Sequence, residues 1–185
     1  MARRRPGLGR LPTPIRRRLL VTLGAIEDRL LAAQSEAGAE FVRDVAEEMP
    51  VEQALSVYLR LVDVAERHQE TVARQTLALL DKDNATAEVV NGDYGPDDLI
   101  SRVLRRLKGR RHDELRARVA SGAARARDAS KSIYVEGAHE VTRMLEGTLQ
   151  PAEAVQLYVE ALEIPPEWAE IIFHDALAGI DLSAA

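Results

Sequence analysis

Arginine is the residue whose placement in this chain most suggests chemistry. Residues 1–20 hold Arg3, Arg4, Arg5, Arg10, Arg16, Arg17 and Arg18 and no acid. Residues 101–131 hold Arg102, Arg105, Arg106, Lys108, Arg110, Arg111, Arg116, Arg118, Arg125, Arg127 and Lys131, opposed only by Asp113, Glu114 and Asp128. These two segments carry +15 and leave −20 on the remainder, so a formal charge of −5 conceals two basic segments on an acidic body. Clustered guanidinium groups recognise carboxylate or phosphate oxygens, and phosphate contact needs no base readout. We expect Arg16, Arg18, Arg105, Arg106, Lys108, Arg110, Arg111, Arg116, Arg118, Arg125 and Arg127 to contact an acidic protein surface or a polyanion, with duplex DNA as the alternative partner. The competing expectation is that these arginines pair with the acidic helices of the same molecule or of a neighbouring subunit. Aromatic residues are only 4% and do not interleave with the bases, which argues against single-stranded nucleic acid.

Other candidate sites are weaker. Glu136 and His139 form one Glu-x-x-His, the spacing that di-iron helical bundles use twice. The chain supplies it once, and position 39, one hundred residues earlier, is alanine. On a helix whose apolar stripe includes Gly137 and Val141, His139 also turns away from the core. His112–Asp113 and His174–Asp175 each resemble the dipeptide of metal-dependent HD phosphohydrolases, which also require an upstream histidine and a downstream aspartate on further helices. His174 lies too near the end for that, and His112 sits among arginines that would repel a cation. Cysteine is absent, which excludes a thiolate metal site, a cysteine nucleophile and a disulfide framework. No glycine-rich phosphate loop, Ser/His/Asp set or zinc-type histidine spacing is present. The expectation is a protein that is not an enzyme and uses no cofactor or metal, with a bundle metalloenzyme built on Glu136 and His139 as a distant alternative.

The elements that carry these residues recur. Shifted by 100 residues, Arg16 falls on Arg116, Arg18 on Arg118, Asp28 on Asp128, Glu36 on Glu136, Glu40 on Glu140 and Arg43 on Arg143. With a one-residue gap on each side, Pro50–Tyr58 lies on Pro151–Tyr158, giving 14 identities over residues 16–81. That is about one position in five, where an Ala/Arg/Glu/Leu-rich chain would give roughly one in twelve by chance. The Arg-rich start, followed by the apolar run Leu19–Ile26, superficially suits a targeting segment. Its match to an internal stretch assigns it to the fold instead.

Each half reads as two long helices. Apolar residues at 15, 19, 23, 26, 30, 33, 37, 41, 45 and 49 keep helical spacing, with Thr13 expected as N-cap and Pro14 at the first helical position. Pro50 opens a second helix with the stripe Ala54, Leu55, Tyr58, Val62, Ala65, Val72, Thr76 and Leu79. The second half repeats the plan through Leu115, Val119, Ala123, Ala126, Ile133, Gly137, Val141, Leu145 and Leu149. It breaks at Pro165–Pro166. Tyr58 and Tyr158 are expected in the core, Trp168 as a packing anchor aligned with His68. Glu36/Glu136, Glu40/Glu140 and Arg43/Arg143 are expected as an ion-pair ladder on a solvated face. A short basic helix is expected over 97–108, ending at Gly109.

The expected architecture is all-α: an antiparallel four-helix bundle of two tandem αα-hairpin repeats, 1–81 and 97–185, joined by a linker at 82–96 carrying the turn signals Asn91–Gly92 and Gly95–Pro96. The runner-up is an elongated chain that completes its core by dimerising. No stretch approaches 18 uncharged apolar residues, so we expect a cytoplasmic, membrane-free adaptor or assembly component, homo-oligomeric or part of a larger complex.

Overall fold

A computed structural model describes residues 8–80 and 110–178. Among them are one 3-10 turn, Leu8–Arg10, and six α-helices and no strand: α1 Thr13–Val45, α2 Val51–Leu61, α3 Glu66–Leu79, α4 Arg110–Met144, α5 Pro151–Ala161 and α6 Pro166–Ala178. The all-helical expectation holds. The linker 82–96 and the basic helix over 97–108 lie outside the described residues. No helix among those described is long and apolar enough to cross a membrane.

The chain divides into two compact units, Met1–Leu30 with Lys131–Ala185 and Leu31–Ser130. In the first, Leu19, Leu23, Ile26 and Leu30 of α1 share a core with Tyr134, Ala138 and Val141 of α4. Val155 and Tyr158 of α5 and Trp168 and Ile172 of α6 complete it. Trp168 is buried and its ring centroid lies 5.9 Å from that of Tyr134, the anchoring role expected of it. In the second unit, Phe41, Val42 and Val45 of α1 pack with Leu55, Tyr58, Val72 and Leu77 of α2 and α3 and with Leu115, Val119 and Ala126 of α4. Gly122 lets the ring of Phe41 approach: a Cβ there would stand 2.9 Å from Phe41 Cδ2. Each unit thus closes a core from helical segments of one chain.

The local geometry repeats every 100 residues. The α2 and α5 helices are each 11 residues long, and both end in a Schellman motif. Val64 N–H donates to the Leu59 carbonyl at 3.1 Å and Asp63 N–H to Arg60 at 3.3 Å; Ile164 donates to Val159 at 3.0 Å and Glu163 to Glu160 at 3.2 Å. Asp63 and Glu163 are in the left-handed region, at φ 53° and 50°. The His68 N–H donates to Ala65 as that of Trp168 does to Pro165.

This regularity corrects four expectations. The second helix of the first half is not continuous: the motif at 62–64 ends α2, and α3 starts at Glu66. The one-residue gap is unnecessary, because Pro50 and Gln150 both occupy the N-cap and their carbonyls accept from Ala54 and Ala154. Pro50 and Pro151 are therefore not equivalent. Helix α1 already includes Thr13, since the carbonyl of Pro12 accepts from Arg16 N–H at 2.9 Å. Leu79, expected on the buried stripe, is exposed at the end of α3.

Candidate functional site

Of the eleven basic residues expected to meet a partner, Arg105, Arg106 and Lys108 lie outside the described residues, as does the side chain of Arg110. The remaining seven fall into two sets. Arg118, Arg125 and Arg127 are engaged with acids inside the second unit. Arg118 donates to the Asp44 carbonyl at 2.8 Å and pairs with Glu48 at 2.6 Å. Arg125 pairs with Asp44 and Arg127 with Asp63, both at 2.7 Å. Pairing within the molecule was the competing expectation; which acids take part could not be read from the sequence, because they come from elements more than 60 residues away.

Arg18, Arg111 and Arg116 are exposed and Arg16 is half-buried; none makes an ion pair among the described residues. Position explains the difference between Arg18 and Arg118. The acids that hold Arg118 are at 44 and 48, and the corresponding positions 144 and 148 are methionine and threonine. Arg16, Arg17 and Arg18 follow directly on the start of α1, whose first turn contains no acid. Each positive charge there opposes the helix macrodipole by about 0.3–1 kcal/mol, so local helix stability does not account for them. The first turn of α4 has Asp113, whose carboxylate contacts His112 Nδ1 at 3.2 Å.

The acid–histidine pairs are otherwise occupied. His139 Nε2 is 3.0 Å from the Ala176 carbonyl, so the ring packs on the end of α6 within the first unit rather than turning to solvent. Glu136 accepts from Ser132 at 3.1 Å. Asp175, beside His174, pairs with Lys131 at 2.7 Å, and that hydrogen bond holds its carboxyl below the usual aspartate range. Among the described residues no three His, Asp or Glu side chains are grouped to hold a metal ion. The expected ladder along 36, 40 and 43 is not formed. Glu140 instead pairs with Arg29 at 2.8 Å, Arg43 donates to the Leu79 carbonyl at 2.9 Å, and Arg143 reaches the His139 carbonyl.

Both repeated tyrosines are fully buried, and desolvation pushes both hydroxyls far above the ordinary tyrosine range. Tyr58 donates to the Gln34 carbonyl at 2.5 Å. The Tyr158 hydroxyl has no hydrogen-bond partner among the described residues and lies over Gly137, where a Cβ would stand 2.6 Å from it. A groove of about 470 Å³ on the first unit runs between Leu11, Leu149, Leu157 and Phe173 and is edged by Glu153 and Glu160. Its carboxylate rim is unsuited to an anion. Sequence reading also missed Leu20 and Val21, both exposed on α1; the available signal was that they fall off the 15–19–23–26 stripe.

Comparisons with protein-family models, with curated proteins and with solved structures find no match.

Proposed function

We propose that this protein is a non-enzymatic helical adaptor or assembly component that docks on an acidic protein surface through Arg16, Arg18, Arg111 and Arg116. The observation that carries the reading is the division among the arginines. Three have carboxylate partners within the fold, whereas these four have none among the described residues and two of them extend the positive end of α1. Their guanidinium groups keep their donors available for carboxylates supplied from outside. Arg105, Arg106, Lys108 and Arg110 extend the same basic segment in sequence and belong to the proposal on that ground.

The 100-residue recurrence of helix lengths, caps and buried tyrosines supports an internal duplication. In this reading the chain is built from two tandem αα-hairpin repeats, 1–81 and 97–185, forming an antiparallel four-helix bundle. Arg16 and Arg116 are then the same docking position presented twice. Duplex DNA offers the same anionic chemistry in phosphate form and is the alternative partner.

The test is fluorescence anisotropy of labelled poly-glutamate and labelled generic duplex DNA, titrated with the full chain at several salt concentrations. Binding to poly-glutamate that weakens with salt supports the adaptor reading. Binding to DNA alone, with a steep salt dependence, replaces it by the DNA reading. Absence of both at low salt refutes anion docking.

A further inference from the structure

The exposed face of α1 in the first unit has more apolar bulk than its fold requires. Val21 is 70% and Leu20 44% exposed, two of the four large apolar side chains exposed among the described residues. At 100° per residue Arg17, Leu20, Val21, Gly24, Ala25 and Asp28 share one face about 140° wide. Arg17, Ala25 and Asp28 are also exposed, and a Cβ at Gly24 would meet nothing within 4 Å. One hundred residues on, the same face of α4 is Ala117, Ala120, Ser121, Ala124, Arg125 and Asp128, all exposed and none of them a large apolar residue. Comparable helices therefore form without large apolar groups at these positions, and Leu20 and Val21 serve something outside the unit.

We infer that this stripe is a self-association face and that its occupant is the same stripe of a second copy. The argument is complementarity. Two such stripes laid antiparallel about a two-fold axis between residues 22 and 23 set Val21 opposite Gly24, Leu20 opposite Ala25 and Arg17 opposite Asp28, each twice. Large side chains meet small ones, as close helix packing requires, and each positive charge meets a negative one. An isologous contact of this kind closes at a dimer. A contact confined to one helix stripe is small beside the roughly 1,200–2,000 Å² of standard interfaces, so the dimer is expected to be weak and to form as concentration rises.

The test is sedimentation velocity on the full chain from about 5 to 500 μM. The wild type is expected to pass from monomer to dimer over this range. Arg17→Asp and Asp28→Arg are each expected to weaken the dimer at least tenfold, because each places like charges opposite one another twice. An equimolar mixture of the two single variants restores both pairs in a heterodimer, and so does the double variant with itself. Val21→Glu is expected to keep the chain monomeric with an unchanged far-UV circular dichroism spectrum. A monomer at 500 μM overturns the inference. So does association that is indifferent to these changes, or single variants that the mixture fails to rescue.

Discussion

Replacing Arg118 by alanine separates structural arginines from docking ones. The Glu48 side chain is only 5% exposed, and Arg118 is its sole charged partner among the described residues, at 2.6 Å. One Glu48 oxygen, Oε2, already lacks a hydrogen bond, so Arg118→Ala leaves the whole carboxylate desolvated without a counterion. Breaking a buried pair costs about 3–5 kcal/mol, but the guanidinium here is 37% exposed and water moderates the loss. The Asp44 carbonyl also loses its donor. The expected destabilisation is about 2–3 kcal/mol, or a fall in Tm of about 5–10 °C for a transition of this size, read by urea and thermal melts followed by circular dichroism. Arg116→Ala, two residues away and exposed, is expected to change stability by less than about 0.5 kcal/mol. Replacing Glu48 and Arg118 together by methionine should recover most of the loss, since no buried charge remains. An Arg118→Ala variant as stable as Arg116→Ala would refute the reasoning, and Arg118 would return to the docking set.

Three further outcomes follow from the same geometry. Gly122→Ala is expected to cost about 1–3 kcal/mol by pressing on Phe41, whereas Gly24→Ala, studied dilute enough to stay monomeric, should stabilise by about 0.5–1 kcal/mol; chemical denaturation measures both. Tyr58→Phe should cost about 1 kcal/mol by removing the bond to the Gln34 carbonyl, while Tyr158→Phe, which discards a hydroxyl without a partner among the described residues, should be neutral or slightly stabilising in the same melts. Lys131→Ala should raise the Asp175 carboxyl toward its ordinary value of 3.8, followed by NMR titration. Because the folded value lies below the unfolded one, the contribution of that pair is complete above about pH 4 and is lost as pH falls further.

The helical stripes were legible because apolar spacing alone places Leu19, Leu23, Ile26 and Leu30, and later Val141 and Leu145, on buried faces. The break at 62–65 was not, because Asp63 adopts a left-handed conformation without the glycine or proline that usually announces one. Its counterpart in the second half was visible only through Pro165–Pro166, and carrying that break back by 100 residues would have located the first. The match of Pro50 with Pro151 misled for the opposite reason: two prolines suit adjacent helix-start positions, N-cap and N1, so shared residue type did not mean shared place. Among the basic residues, charge density could not distinguish Arg116 from Arg118. The distinction depends on Asp44 and Glu48, which only the packing of α1 against α4 within the second unit brings near. The expected ladder along 36, 40 and 43 failed likewise, since Arg29 and the Leu79 carbonyl offered contacts from other elements.

The most direct test of the docking role is poly-glutamate binding by a variant carrying Arg16→Glu, Arg18→Glu, Arg111→Glu and Arg116→Glu, compared with the wild type at low salt and checked for helicity. None of these four side chains has an ion pair to lose among the described residues, so the account predicts an intact far-UV spectrum and the disappearance of binding. Retained binding with an intact spectrum would contradict it.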